Sequence, residues 1–384
     1  MSALLESLFG GLSIGSVLLL AALGLAIIFG LMGVINMAHG ELMMLGAYTT
    51  FVVQNALKKT ALAEVYIFFA LIAAFLVTAL IGLLLERGVI RYLYGRPLET
   101  LLATWGVSLI LQQFVRTLSW QFVIGLTLFC LLFFGVFGVV SRRPDFERMR
   151  GWVIGLMLPL SAAIAVVVSS LIGQTFKLAV TKPWFGTQGV DVTAPRWLRG
   201  GLQIAGGYQL PYTRLFIIAL TVTCVFGVYW FLNKTPWGLR IRAVTQNRNM
   251  SSCLGIPTKT VDALTFAIGS GLAGMAGVAV SLLGSVSPNT GQAYIVDTFM
   301  VVVVGGVGKL VGSIVAAGAI GTVSYIIGSN ALGPLVSFSP VLQSFFEFFA
   351  SASMAKVMVF ALIIVFLQFR PAGLFPQKGR TVDA

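Results

Sequence analysis

Charge is what this chain has least of. Asp, Glu, Lys and Arg together make up 10% of its 384 residues, against about 25% in a typical soluble domain. One histidine and three cysteines exclude a metal-ligand cluster and a disulfide framework: Cys130 and Cys224 lie in apolar runs and Cys253 in a basic loop. No basic stretch precedes the first apolar run, where Glu6 is the only charge, and no small-residue cleavage site follows it. Residues 1–35 therefore read as retained structure and not as a signal peptide. Nor is there a set of nucleophile, base and orienting group from which a membrane enzyme could be built.

What is present is apolar. Hydrophobic residues make up 58% of the chain, glycine contributes 43 residues, and the mean hydropathy is +0.97. The expectation is an all-α fold, a polytopic membrane helical bundle in which glycines let backbones approach closely. Apolar runs fall at about 12–35, 41–57, 65–85, 98–118, 121–141, 152–172, 215–232, 262–284, 294–307, 312–328 and 355–369. Each is near the ~20 residues that cross a bilayer, or somewhat shorter. These are about 11 transmembrane or re-entrant segments, the short runs 41–57 and 294–307 being the ones expected to be tilted, broken or re-entrant.

The net charge of +13 reads as a topology signal and not as a nucleic-acid surface, because no soluble domain is available to carry a basic patch. Placing 86–97, 142–150, 233–261, 308–311 and 370–384 inside collects sixteen of the 25 Lys and Arg, among them Arg142, Arg143, Arg148, Arg150, Lys378 and Arg380. That puts the N-terminus outside and the C-terminus in the cytoplasm. Residues 173–214 resist, carrying Lys177, Lys182, Arg196, Arg199 and Arg214 on the outer side by parity. Long external segments obey the charge rule less strictly. Lys356 and Arg116 read as membrane-edge residues.

Four motifs stand out. Asn36, His39 and Glu41 interrupt two apolar runs, and ionisable groups inside a membrane by default face a cavity or a partner. They read either as a polar lining of a translocation path or as caps at a helix break. Asp297 reads the same two ways. Gly269, Gly271, Gly274 and Gly277 lie at spacings that make a flat face for another helix. Gly305-Gly306-Val307-Gly308-Lys309 is no phosphate loop, since Val303 and Leu310 stand where Gly and Ser/Thr are needed, so its glycines are expected to make a tight bend with Lys309 at the interface.

The fourth is a polar, basic segment of roughly 28 residues, Asn233 to Thr260, between two spans. Leu239, Ile241, Val244, Met250, Leu254 and Ile256 are spread among its charges, which suits an amphipathic helix under the membrane that meets a soluble partner.

The stretches INMAHGELMMLGAY, LLATWGVSLILQQ, WGLRIRAVTQNRNMSSCLGI, FAIGSGLAGMAGVAV, VVVVGGVGKLVGS and FRPAGLFP together resemble the permease family of branched-chain amino acid ABC transporters. TQNRNMSSCLGI and AYIVDTFMVVVVGGVG look most like the urea permeases within it. The resemblance covers nearly the whole chain apart from about 121–182. It implies a single permease domain over 1–384 in a bacterial inner membrane, importing urea or, alternatively, branched-chain or other amino acids. A secondary transporter or channel fits less well, because the basic loop would lack a purpose and no charged relay is seen in the spans.

Implied partners are a second homologous permease, two ATPase subunits that hold ATP and Mg, a periplasmic urea-binding protein and membrane lipid, with no nucleic acid. This chain itself is expected to hold no cofactor and to be no enzyme. The resemblance further implies that Ala243, Val244, Arg248, Met250, Leu254, Gly255 and Ile256 form one coupling helix against an ATPase, within a cytoplasmic loop at about 233–261. Residues 121–173, two apolar runs around SRRPDFERMR, depart from the family pattern and read as an inserted helical hairpin.

Overall fold

The computed structural model describes residues 2–140, 146–175, 184–185, 189–204, 208–329 and 348–375. Arg142, Arg143, Lys177, Lys182, Lys378 and Arg380 of the charge argument lie outside the described residues. The chain divides into two compact units, Met1–Leu109 with Asp191–Ala384, and Ile110–Val190.

The first unit is built around two helices. α1 (Ser2–Ile27) runs on through a π-helical turn, Ile28–Met32, and stops where Gly33 turns left-handed at φ 69°. α10 (Thr258–Ser281) lies against it. The apolar windows of these two helices are 83% and 78% buried, whereas those of α3 (Tyr66–Gly88), α4 (Pro97–Thr117), α7 (Tyr212–Lys234) and α12 (Leu310–Gly328) are 28–39% buried. A helix that is apolar all round belongs at the centre, and one with a single covered face belongs at the lipid edge.

Glycine makes the centre dense, though not as one flat face. A side chain at Gly269 would run into Gly24 of α1 and Ile28 of the π-helical turn, at Gly271 into Phe75 of α3, at Gly274 into Ala74 and Thr78 of α3, and at Gly277 into the backbone of Met43 and Ala47. The last two belong to α2 (His39–Leu57). The single packing face of the sequence reading is therefore corrected to three, because consecutive small residues turn through the helical period and α10 is enclosed by α1, α2 and α3. α12 lies antiparallel to α1, with Gly11 against Thr322 and Gly15 against Ala317.

Each of the eleven apolar runs lies mainly on one helix, the first running on through the π-helical turn to Gly33, and among the described residues seven helices are long and apolar enough to cross a bilayer. α11 (Thr290–Gly305) is shorter, 16 residues, about 24 Å at 1.5 Å per residue. It turns into α12 through Gly306 and Gly308, at φ 98° and 81°. Its last carbonyls, on Val304 and Gly305, accept from the amides of Leu374 and Phe375 beyond α13 (Ala352–Phe369), at 2.8 and 3.3 Å. The FRPAGLF stretch thus finishes a helix end that would otherwise leave carbonyls unpaired.

The long basic segment read as an outer loop has structure of its own. β1 (Gly201–Ile204) and β2 (Tyr208–Pro211) pair antiparallel with Gly201 opposite Pro211, a small departure from an all-helical chain. Just before it, the carbonyl of Thr193 accepts from Gln54 (2.7 Å) and from the Tyr66 hydroxyl (2.9 Å), and the Trp197 indole donates to the Glu64 carbonyl (2.7 Å). Trp197 also stacks on Phe68.

In the second unit, α5 (Trp120–Val140) and α6 (Phe146–Thr175, with Pro159 inside it) pack on each other, with Gly125 facing Ser169. Trp184 closes one end, its ring 4.9 Å from Trp120 and its amide donating to the Leu118 carbonyl at 2.9 Å.

Candidate functional site

A polar knot sits where α1, α2, α4 and α11 converge. The non-helical residues 33–36 lead into the start of α2, and His39 Nε2 lies 3.0 Å from the Ala21 carbonyl. Ala21 lies well before the end of the continuous stretch formed by α1 and its π-helical turn, so α2 begins inside the bundle and not at its end. Asn36 accepts the Ala38 amide on its own side chain at 3.1 Å, the Met37 amide donates to Thr104 at 3.1 Å, and Ser108 donates to Glu41 Oε1 at 3.1 Å. Asn36, His39 and Glu41 are each at most 1% exposed. Asn36 Nδ2 and His39 Nδ1 have no hydrogen-bond partner among the described residues. Irregular backbone at this depth is tolerated only where protein or a cavity surrounds it. Thr104 and Ser108, on α4, complete the knot; the sequence reading missed them because lone hydroxyls in an apolar run carry no pattern.

Asp297 does not join this knot. Gly291 of α11 meets Gly40 and Glu41, but Asp297 pairs with Lys356 of α13 at 2.7 Å, its side chain 11% exposed and that of Lys356 50%. The Lys356 ammonium lies 5.9 Å from the Tyr294 ring centre. Lys356, near the start of α13, thus forms half of an ion pair between two apolar helices.

The basic segment between α7 and α10 folds as two helices, α8 (Pro236–Gln246) and α9 (Arg248–Cys253), not one. Thr235 caps α8, accepting the Gly238 amide, with Pro236 in the first turn; Asn247, extended at φ −152°, caps α9 by accepting the Met250 amide at 2.9 Å. An asparagine that caps one helix must leave the helical conformation to do so, which breaks the single coupling helix of the sequence reading at that residue. α9 ends in a Schellman turn: Ile256 donates to the Ser251 carbonyl, Gly255 to that of Ser252, and Gly255 stands at φ 80°.

The side chains divide in a way the sequence did not reveal. Val244 is 8% exposed and, with Ile241, packs on Val261, Leu31 and Ile256, so it cannot serve as a docking anchor. Ala243 is half-buried. Met250 and Leu254 are 61% and 76% exposed. Arg248 turns back into its own chain, pairing with Asp262 of α10 at 2.5 Å and lying 4.6 Å from the Tyr94 ring centre. Tyr94 donates to Glu86, a fully buried carboxylate that also pairs with Arg91 at 3.1 Å. Burial first, then the carboxylates of Asp262 and Glu86, push the Tyr94 phenol above its ordinary range, so it stays a donor. Arg248 thus ties α9 to the second turn of α10.

Residues 7–134 and 149–367 match the family described as branched-chain amino acid transport system, permease component. The chain is 25% identical over 374 residues to the high-affinity branched-chain amino acid transport system permease protein BraD of Pseudomonas aeruginosa, covering 96% of this chain and 95% of that one. It is also 25% identical, over 96% of this chain and 94% of the other, to the permease protein LivH of Escherichia coli. A shorter similarity, 32% over 142 residues (35% of this chain and 42% of the other), is to the ribose import permease protein RbsC of Bacillus subtilis. No solved structure matches. With matched residues on both sides of a short gap and extending through nearly all of the helices described above, the chain belongs to the branched-chain amino acid transport permease family.

Proposed function

We propose that this chain is the permease subunit of an ATP-driven importer, with its N-terminus outside and its C-terminus in the cytoplasm. It receives solute from a periplasmic binding protein and works beside a second homologous permease and two ATPase subunits, which hold ATP and Mg. The observation that carries the coupling half of this reading is α9, a capped, six-residue helix that holds Met250 and Leu254 out from the bundle while Arg248 anchors it to α10. Exposed apolar side chains on a positioned helix are what a groove in a soluble partner takes up. The knot around Asn36, His39 and Glu41 is the proposed polar constriction of the path.

For the cargo, the names of the full-length relatives support branched-chain or other amino acids. Urea is the second reading, supported by the stretches TQNRNMSSCLGI and AYIVDTFMVVVVGGVG. Cells lacking other carriers and expressing the whole system separate the two. Labelled leucine is expected to accumulate in an ATP-dependent manner; urea accumulation without leucine would reverse the choice, and accumulation independent of ATP would remove the importer reading.

We also propose that 121–173 is an inserted hairpin dispensable to the core. α5 and α6 pack on each other, and removing two antiparallel spans together leaves the sidedness of all later ones unchanged. A chain deleted of Gln121 to Gly173 is expected to insert and assemble. Altered cysteine accessibility in the later helices would show that the hairpin belongs to the bundle.

A further inference from the structure

We infer that the cavity between α1, α11, α12 and α13 is a binding site for an amino acid zwitterion, its ammonium taken by Asp297 and its carboxylate by Lys356. This rests on the amino-acid reading of the cargo. The cavity measures about 420 Å3, within the roughly 300–1,000 Å3 of small-molecule sites. The Asp297–Lys356 pair stands on one wall, with Tyr294 beside it and Ser324 also lining the cavity. Much of the rest is aliphatic or aromatic, including Leu18, Met300, Ile320, Val359 and Ile363.

Charge matching selects the ligand class. In apolar surroundings an ion pair is stable only while both charges stay matched, and removing either partner leaves an uncompensated charge. A solute with one charge could meet Lys356 or Asp297 only by stranding the other. A zwitterion carries both charges side by side, so it can insert into the pair and replace one matched contact by two. Asp297 is the fixed pole, mostly buried in mid-helix, and Lys356 the movable one, with half of its side chain exposed on a flexible stem. The apolar walls would then hold an aliphatic side chain, so leucine should bind better than alanine.

The test uses the assembled transporter in proteoliposomes, with the native cysteines replaced by alanine and Ser324→Cys introduced as a reporter on the cavity wall. Leucine is expected to slow labelling of that cysteine by a thiol reagent at least fivefold, with alanine weaker and acetate or methylammonium without effect. Asp297→Asn and Lys356→Gln should each assemble but raise the half-saturating leucine concentration tenfold or more, and Ser324→Phe should reduce leucine uptake more than alanine uptake.

Labelling indifferent to leucine in a transporter that imports leucine would overturn the site while leaving the function intact. Protection by urea and not by leucine would overturn the zwitterion assignment, whichever solute is imported. Full transport by the exchanged pair, Asp297→Lys with Lys356→Asp, would also overturn it, because a brace between two helices works in either order and an oriented binding site does not.

Discussion

A Gly277→Val permease is expected to lose the folded bundle and not merely slow transport. A Cβ at this position falls on the Met43 carbonyl and comes within 2.7 Å of the Ala47 amide nitrogen. Both are backbone atoms of α2, so no side-chain rotation relieves the clash and the two helices must separate. Overpacking by a side chain that can shift typically costs about 1–3 kcal/mol; where backbones must part, a loss on the order of 3 kcal/mol or more is expected. The thermal midpoint of the purified protein should fall sharply, and the single peak on size exclusion should be lost. Gly284→Ala supplies the control, since a Cβ there meets nothing within 4 Å. If Gly277→Val matched Gly284→Ala in melting and in yield, the close crossing of α2 and α10 would be wrong.

The same glycine shows how far the sequence could be read. Small residues three and four apart announced that α10 packs closely. They could not announce against what, because spacing along one helix carries no information about how many neighbours surround it. The eleven apolar runs were legible for a plainer reason: hydrocarbon thickness fixes the length of a span, and composition alone detects it. The segment from Thr193 to Trp197 was not legible. What fastens it is hydrogen bonding to Gln54, Glu64 and Tyr66, more than a hundred residues earlier, and such partners leave no local pattern.

At the candidate sites the residue types were readable and their groupings were not. Asn36, His39 and Glu41 signalled themselves by being polar in an apolar chain, and they lie close together in the structure because they are close in sequence. Asp297 signalled itself equally, yet its partner Lys356 is on another helix, and no local pattern joins the two. Arg248 misled in the opposite way. A basic residue in a basic loop resembles a solvated one, but Asp262 lies fourteen residues on, at 2.5 Å from it. Met250 and Leu254 differ from Val244 only in which way the capped turn points them, and Asn247 and Gly255, the residues that set that turn, are informative once their backbone roles are known.

Gly255 accordingly carries the sharpest expected effect on transport. Its φ of 80° is in the left-handed region, and a Cβ there would meet no other atom within 4 Å, so any penalty comes from the backbone alone. A β-branched residue adopts that conformation poorly, whereas asparagine tolerates it. Gly255→Val should therefore undo the turn that ends α9, release the hydrogen bond from Ile256 to Ser251, and swing Leu254 away from the direction it now takes. The permease core, anchored elsewhere, should still insert and melt normally. Transport and solute-stimulated ATPase activity of the assembled complex should fall at least tenfold, while Gly255→Asn keeps most of both. Equal loss in the Val and Asn variants would show that the missing side chain matters and not the left-handed turn; full activity in both would mean that α9 transmits nothing to its partner.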